Sequence, residues 1–489
     1  MKKLISVLLL CGMFLQLAAC TADPATVETA DTEETQVVPE GETREQTKLP
    51  KLDFEGAVFN TGFKNGTWQA EDYFAEELSA DNLKASLYRR AKSTENKLNI
   101  VLKWETDVNL EKVRELFLAG EDVHQQLVLG GIDETPFLTG GYLYNTDLLP
   151  YIETSADWWN QTQIDTLRLG KNTYFLVSDF LLTDPAALFF NWDMIEDNNF
   201  ENPYTMVNEG TWTLDKLQDM CIAVKNDADG DGLYESEDDI LGLTYGDTSQ
   251  LAPFFPGCGQ FITERTEDGK IAMAMNNERT LLIWDKLLRF NANAGSIPTS
   301  NAIKAGEFSN SRSLFAADKI SALETYAGMS GINVGLVPFP KFDEAQEQYY
   351  SLGHDPIIAV PDTIKNPELV GAVLEFLAWE SGNEVTNTYY EKLMKTRYSA
   401  DLETRAMVEL IFDTLSYEIG ITYFMFQNGF CGLAYIAVAP ITGDPHASSR
   451  MRFERTLVKK VLNDFYTELE KIEGTAETEE TAAEETAAE

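Results

Sequence analysis

The amino-acid sequence predicts an α/β protein with largely parallel sheets, because short apolar runs alternate with segments of helical periodicity. The run Leu98–Leu102 is rich in β-branched and aliphatic residues, as expected of a buried strand. Apolar residues then recur at helical spacing at Leu110, Val113, Leu116 and Phe117. This first strand-to-helix alternation predicts the fold class.

The same alternation returns in the second half of the chain. Val334–Val337 and Ile357–Val360 resemble buried strands, and each is followed by a proline. Asn366 then offers a capping side chain, and Pro367 suits the first turn of a helix because its fixed φ is already helical. We therefore expect a helix to begin at Pro367.

Composition excludes several classes of protein. The 489 residues include 38 Lys and Arg against 80 Asp and Glu, a formal net charge of −42. Such an acidic surface repels a phosphate backbone, so nucleic acid is excluded as a partner. The three histidines, His124, His354 and His446, lie far apart, with no Cys or other His at zinc-site spacing. At this length we expect two or three domains.

The N-terminus is typical of an exported protein. Lys2 and Lys3 precede an apolar stretch, so residues 1–19 are predicted to be a signal peptide. Leu17-Ala-Ala-Cys20 resembles a bacterial lipobox, in which the cysteine is acylated and becomes the mature N-terminus. The alternatives are cleavage without lipid and an uncleaved anchor. We expect a palmitate-bearing lipoprotein anchored at Cys20 on the extracellular face of the cell membrane.

Both ends of the mature chain have low-complexity acidic sequences. Residues 20–48 are predicted to be a lipidated, disordered tether, and residues 473–489 a disordered tail, because neither composition can bury enough apolar surface. Once the signal peptide and Cys20 are set aside, Cys221, Cys258 and Cys431 remain. They allow one disulfide, or three buried thiols.

One short loop has the ligand spacing of an EF-hand. Counted from Asp227, carboxylates occupy positions 1, 3, 5, 9 and 12, and a glycine occupies position 6. Calcium prefers six to eight oxygens, and glycine permits the sharp turn that gathers them. The predicted ligands of a structural calcium ion are Asp227, Asp229, Asp231, Leu233 (through its carbonyl), Glu235 and Asp238. The alternative is an acidic turn without an ion.

Nine motifs are spread over nearly the whole body: Asp147–Ile152, Trp158–Asn160, Gly170–Tyr174, Ser178–Phe180, Leu188–Asn191, Gly210–Leu217, Gly335–Asp343, Tyr389–Leu393 and Ile411–Asp413. In this order they resemble the extracellular solute-binding protein family 1, the lipid-anchored receptors of carbohydrate ABC importers in Gram-positive bacteria. Their order and spacing together are the signal, since no single motif is diagnostic.

The resemblance implies a periplasmic-binding-protein type II fold, in which two hinged lobes enclose a ligand cleft. By analogy, 49–183 plus 320–357 form the N-terminal lobe, and 187–316 plus 360–470 form the C-terminal lobe. The return crossing between the lobes is expected near Ala317–Tyr326. The resemblance also implies a non-catalytic monomer that binds a small-molecule sugar or oligosaccharide, with ABC permease subunits as partners.

Sugar sites combine aromatic plates with side chains that hydrogen-bond hydroxyls, at loops where strands of an open α/β sheet end. The candidate ligand-binding residues are Trp68, Asp179, Phe180, Tyr326, His354 and Asp355. Each has a structural alternative, such as a core position for Trp68 or a turn cap for Asp179. Trp158 and Trp159 cannot both stack on one ligand, because adjacent side chains point in different directions, so at least one is expected in the core.

Two other functions remain open. A secreted carbohydrate-active enzyme is one alternative, although no catalytic carboxylate pair can be located among so many acids. A sensory or adhesive lipoprotein on the same binding fold is the other. The acidic body favours a neutral or cationic sugar; an acidic sugar would require an arginine clamp, which Arg168, Arg312 or Arg397 could supply.

Overall fold

Two five-stranded sheets with helices packed on them confirm the predicted α/β class. The structure is a computed structural model, and the residues it describes fall within one unit, Gln46–Glu489. The described residues are 46–64, 72–130, 134–230, 238–245, 248–275, 277–293, 296–298, 308–329, 331–353, 356–394, 402–422, 458–460 and 462–474.

The first sheet has the strand order β2-β1-β3-β13-β4. Its strands are β1 (Ala57–Lys64), β2 (Ile100–Val108), β3 (Gln126–Leu129), β4 (Phe175–Leu176) and β13 (Ile357–Ala359). β1 runs parallel to β2 and β3, whereas β13 is antiparallel to both β3 and β4. The carboxyl ends of β1 to β4 therefore lie at one edge of the sheet.

The second sheet has the order β11-β5-β10-β6-β9. Its strands are β5 (Ala186–Asn191), β6 (Leu241–Tyr245), β9 (Ser296–Pro298), β10 (Ser313–Lys319) and β11 (Val334–Val337). β5 is antiparallel to β10 and β11, while β6 is parallel to β10 and β9. The amino end of β5 therefore meets the carboxyl ends of the other four strands.

Two small sheets and a set of helices complete the described structure. β7 (Thr263–Arg265) pairs antiparallel with β8 (Ile271–Met273), and β12 (Ser351–Gly353) pairs parallel with β14 (Leu415–Tyr417). The α-helices are Asn82–Leu98, Leu110–Leu118, Glu134–Thr139, Gln161–Leu167, Trp192–Asp197, Pro203–Glu209, Leu214–Val224, Phe254–Gly257, Glu278–Asn293, Ala322–Gly328, Pro367–Ser381, Asn387–Met394, Leu402–Asp413 and Ile419–Thr422. In addition to these helices, residues 462–474 are helical.

The predicted helix start at Pro367 is confirmed. The Asn366 side chain accepts a hydrogen bond from the Leu369 amide at 3.1 Å, and Pro367 occupies the first turn. The first helix begins in the same way, with the Asp81 carboxylate accepting from the Lys84 amide at 2.9 Å. In both cases a side-chain oxygen satisfies an amide that the helix itself leaves unpaired.

The predicted division of the chain between the lobes is wrong in two places. β11 was expected in the N-terminal lobe, within 320–357, but it pairs with β5 in the second sheet. The helix Pro367–Ser381 was expected in the C-terminal lobe, yet it packs on the first helix, Asn82–Leu98. The chain therefore leaves the second sheet after Val337, not near Ala317–Tyr326. Apolar runs such as Val334–Val337 and Ile357–Val360 look alike in sequence, and only long-range pairing assigns them to a sheet.

The predicted acidic tail starts too early. Glu473 is buried, and its carboxylate accepts hydrogen bonds from the Lys171 and Asn172 amides at 2.9 and 3.1 Å. Residues 475–489, the signal peptide, Cys20 and most of the tether lie outside the described residues. Among the described residues, no helix has both the length and the apolarity needed to cross a membrane.

Candidate functional site

The two sheets are joined edge to edge by residues 177–185, which we call the first crossing. This segment leaves the carboxyl end of β4 and enters the amino end of β5, where Ala186 pairs with Lys319 at the carboxyl end of β10. The first crossing therefore connects the carboxyl edge of one sheet to that of the other, and we call these the joined edges. Ligands of open α/β sheets bind at such carboxyl edges.

Asp179 and Phe180 lie in the first crossing, and of the two only Asp179 is partly exposed. The Asp179 amide donates to the Trp158 carbonyl at 2.9 Å, and its side chain is half-buried. Phe180 is 1% exposed. The prediction that Phe180 contacts ligand is therefore corrected: its ring supports the wall of the site from within.

Phe180 belongs to an aromatic layer that the sequence did not reveal. Its ring stacks on Trp104 at 6.2 Å and on Tyr73 at 6.4 Å. Trp104, on β2, also stacks on Phe74 at 5.4 Å, and Phe63 of β1 packs beside them. Trp104 is half-buried and lines a cavity of about 330 Å³ between β2 and the first helix. Its position on the same strand face as Ile100 and Leu102 was the available signal.

On the second sheet the partly exposed polar group is Asp318, whereas the predicted Tyr326 is buried. Tyr326 is 1% exposed and packs between Phe189 and Phe308. Its hydroxyl donates to the Asp318 carboxylate at 3.0 Å, and the Gln250 amide donates to the other carboxylate oxygen at 3.0 Å. Burial and the neighbouring Asp318 raise the pKa of Tyr326. Tyr326 therefore orients Asp318 at the end of β10.

Asp184 is a third carboxylate at the joined edges, and sequence reasoning did not select it. It accepts hydrogen bonds from the Ser321 amide at 2.9 Å and the Ser321 hydroxyl at 2.7 Å, and Lys319 Nζ lies 4.0 Å away. Burial raises the pKa of Asp184, and the nearby charge of Asp318 adds to that shift. Asp179, Asp184 and Asp318 each carry a carboxylate, a group that can accept hydrogen bonds from hydroxyl groups.

Trp158 and Trp159 are both buried in the core, which confirms the prediction that at least one of them is a core residue. Trp158 is 2% exposed and Trp159 is 4% exposed. Their indole N–H groups donate to the two carboxylate oxygens of Glu375, at 3.0 and 2.9 Å. Burial raises the pKa of Glu375. The pair therefore anchors helix Pro367–Ser381 and does not stack on a ligand.

In the aspartate loop, the described carboxylate that lies beside Asp227 and Asp229 is that of Asp239, whereas the predicted ligand was Asp238. Ligand oxygens of Asp227, Asp229 and Asp239 all lie within 4.8 Å of one another. Asp239 is 1% exposed and accepts from the Ala228 amide at 2.9 Å, whereas the predicted Asp238 is exposed. Asp239 directly precedes Ile240, and the bridge from Ile240 to Asn226 holds this part of the chain against the start of the loop.

Several predicted residues lie outside the described residues: Trp68, His354 and Asp355 of the ligand set, Asp231, Leu233 and Glu235 of the calcium set, and Arg397 and Cys431. Of the predicted arginine clamp, Arg168 lies 3.8 Å from Asp147, away from the joined edges. Cys221 and Cys258 are free, buried thiols whose pKa values burial raises, to about 12 for Cys258. Neither is available for reaction.

No protein-family model matches the chain, and no curated protein matches it in sequence. In structure it is similar to the GacH receptor of Streptomyces glaucescens GLA.O, described unliganded and in complex with acarbose and an acarbose homolog. That match has 14% identity and a TM-score of 0.54, and covers 84% of this chain and 99% of the receptor.

A second similar structure is an ABC transporter solute-binding protein from Thermotoga lettingae TMO bound with α-D-tagatose. It has 14% identity and a TM-score of 0.51, with coverage of 83% of this chain and 100% of that protein. Together the two likenesses confirm the periplasmic-binding-protein type II fold, with its two lobes.

Proposed function

We propose that this protein captures a sugar or oligosaccharide between its two lobes and passes it unchanged to the permease of an ABC transporter. The observation that carries the proposal is the position of three carboxylates along the joined edges: Asp179 and Asp184 in the first crossing, and Asp318 near the carboxyl end of β10. Carboxylates accept strong hydrogen bonds from hydroxyl groups. Both similar structures are binding proteins described with sugars or sugar-like ligands.

Lobe closure would provide the capture step. The segments that cross between the sheets are the natural hinges, because a hinge motion concentrates its dihedral changes in a few connecting residues. The receptor would act as a monomer and release its cargo intact. Recovery of cleaved sugar after incubation would instead indicate a carbohydrate-active enzyme.

The lipobox-like sequence supports a proposal about location. Acylation of Cys20 would hold the receptor at the outer face of the cell membrane, within reach of its permease. We expect labelled palmitate to be incorporated into the wild-type protein and not into a Cys20→Ala variant. Equal labelling of both would contradict the anchor.

A thermal-shift screen tests the ligand class. We expect at least one neutral saccharide from a panel including acarbose and D-tagatose to raise the melting temperature, because a ligand that binds only the folded state stabilises it. At 100 times its Kd, a ligand contributes about 2.7 kcal/mol. A panel that leaves the melting temperature unchanged would contradict the proposal.

The Asp318→Asn variant locates the site. It keeps the shape of the side chain and removes a charged acceptor, so we expect sugar affinity to fall about tenfold, or about 1.4 kcal/mol. Asp219→Asn is the matched control, because Asp219 is exposed on helix Leu214–Val224. Equal affinities for the two variants in calorimetry would place the ligand elsewhere.

We also propose a structural calcium ion held by the aspartate loop. Asp227, Asp229 and Asp239 bring acidic oxygens within 4.8 Å of one another, and oxygens of this type are the ligands that calcium prefers. The ion would relieve the repulsion between these carboxylates and connect the loop to the strand that follows it.

Removal of calcium is therefore expected to lower the melting temperature of the wild-type protein. Asp239→Asn should abolish most of that decrease, because it removes a buried ligand, whereas Asp238→Asn should retain it. The measurement is a melting curve for each protein with calcium and with EGTA. If EGTA has no effect on the wild type, the loop is an acidic turn.

A further inference from the structure

Arg90 is a fully buried arginine on the first helix. It lies on the inward face with Leu87, Ala91 and Thr94, whereas the neighbouring Arg89 points outward and pairs with Glu384 at 2.8 Å. Helical periodicity separates the two arginines, since adjacent residues lie about 100° apart around the helix. Only one arginine of the pair therefore contacts the interior.

The Arg90 guanidinium connects three separate segments. It donates to the Tyr73 carbonyl, to the Phe180 carbonyl at 3.4 Å and to the Ser381 hydroxyl at 3.0 Å. Tyr73 belongs to the segment between β1 and the first helix, Phe180 to the first crossing, and Ser381 to the end of helix Pro367–Ser381. One planar group therefore sets the spacing of all three.

The guanidinium also lies against an aromatic ring. Its central carbon is 4.6 Å from the centroid of Phe180, and the Phe180 ring stacks on Trp104 with an interplanar angle of 14°. A cation over a ring face is attracted to it. The orientation of Phe180 is therefore held from its backbone and from its ring, and Trp104 takes its orientation from Phe180.

This arrangement is costly. Arg90 is 0% exposed, and its Nε has no hydrogen-bond partner among the described residues. Burial lowers the pKa of Arg90 to about 9, and the neighbouring Glu380 opposes that shift. A buried charge with an unpaired donor is often less stabilising than an apolar side chain of similar volume. Packing alone therefore does not account for an arginine here.

We propose that Arg90 is a positioning residue for the sugar site, holding Phe180 so that the adjacent Asp179 and the stacked Trp104 keep one geometry. This inference rests on the proposed function, because it concerns the wall of that site. Arg90 itself is buried behind the aromatic layer and does not contact the ligand.

The first test needs no sugar. We label the protein with 5-fluorotryptophan and identify the Trp104 resonance by its loss in Trp104→Phe. In Arg90→Met, which keeps similar volume without charge or donors, we expect that resonance to shift or split while the protein stays folded. Arg89→Met is the matched control and should leave it unchanged. An unchanged Trp104 resonance in folded Arg90→Met would overturn the inference.

The second test measures affinity for acarbose and D-tagatose by calorimetry. We expect Arg90→Met to bind at least tenfold more weakly than wild type, and Arg90→Lys to give no rescue, because an ammonium lacks the planar fork. Equal affinity of wild type and Arg90→Met would overturn the inference even if the fluorine spectrum changed. If wild type binds neither compound nor any other sugar, the proposed function fails, and the fluorine test still decides the positioning role.

A milder variant covers the case in which Arg90→Met does not fold. Ser381→Ala removes one acceptor of the guanidinium and leaves Arg90 in place. We expect a smaller shift of the Trp104 resonance and a twofold to fivefold loss of affinity. No change in either measurement would overturn the inference.

Discussion

Replacing Glu375 with alanine is expected to lower the free energy of unfolding by about 2–6 kcal/mol, because each of the two buried indole donors left unpaired costs about 1–3 kcal/mol. Trp158 and Trp159 both donate to this carboxylate, and both are almost fully buried. Water cannot readily replace the lost oxygens at such positions. Urea denaturation at constant m-value measures the change.

Two variants on the same helix separate this effect from others. Glu368→Ala is the matched control, since Glu368 is exposed and bonds only the Tyr151 hydroxyl in the described structure, so we expect a change within about 0.5 kcal/mol. Glu375→Gln retains one acceptor oxygen and should lie between the two alanine variants. Equal losses for Glu375→Ala and Glu368→Ala would contradict the anchoring role of Glu375.

The pH dependence has a definite sign. Burial raises the pKa of Glu375 above its ordinary value of 4.5. Its charge is therefore a cost at neutral pH, and that cost is relieved as the pH falls through the raised value towards 4.5. We expect the wild type to gain stability relative to Glu375→Gln as the pH falls over this interval. At higher pH the stability difference between the two proteins should be constant.

Gly371→Ala is expected to destabilise the protein by about 1–3 kcal/mol, the usual cost of forcing an extra carbon into a packed interior. Gly371 lies within helix Pro367–Ser381, where alanine would ordinarily be favoured by about 1 kcal/mol. Here a Cβ would overlap the Pro150 carbonyl oxygen and lie 3.0 Å from its carbonyl carbon. Backbone cannot move aside as a flexible side chain can.

The sign of the effect is the test. Gly328→Ala is the matched control, because Gly328 is also helical and a Cβ there meets nothing within 4 Å. We expect Gly328→Ala to be neutral or stabilising and Gly371→Ala to be destabilising, as measured by chemical denaturation of both. A stabilising Gly371→Ala would show that the loop at Pro150 does not pack closely on the helix.

Local patterns in the sequence correctly predicted those structural features that depend only on residues close together in the chain. The helix start at Asn366 and Pro367 was correct, because capping is a contact over three residues. The burial of the tryptophan pair was also anticipated in part, because adjacent side chains diverge. By contrast, Asp238 and Asp239 are indistinguishable in composition, and only the course of the chain into the bridge at Ile240 turns Asp239 inward.

The candidate site was only partly predictable for a similar reason. Phe180 and Tyr326 lie beside polar residues near strand ends. At such positions an aromatic ring can either stack on a ligand or pack in the hydrophobic core, and the sequence does not distinguish the two. The structure buries both and leaves Asp179 and Asp318 at the joined edges. Trp104 and Asp184 acquire their positions from contacts with residues far away in the chain, such as Phe180 and Ser321.

The amino-acid sequence by itself determined the α/β class and supplied the candidate export signal, because both depend on composition or on short-range periodicity. Tertiary structure alone decided which strand joins which sheet, which carboxylates meet, and which aromatic rings are buried. Strand pairing and packing join residues distant in the chain, and no local pattern specifies which partner a buried apolar run will find.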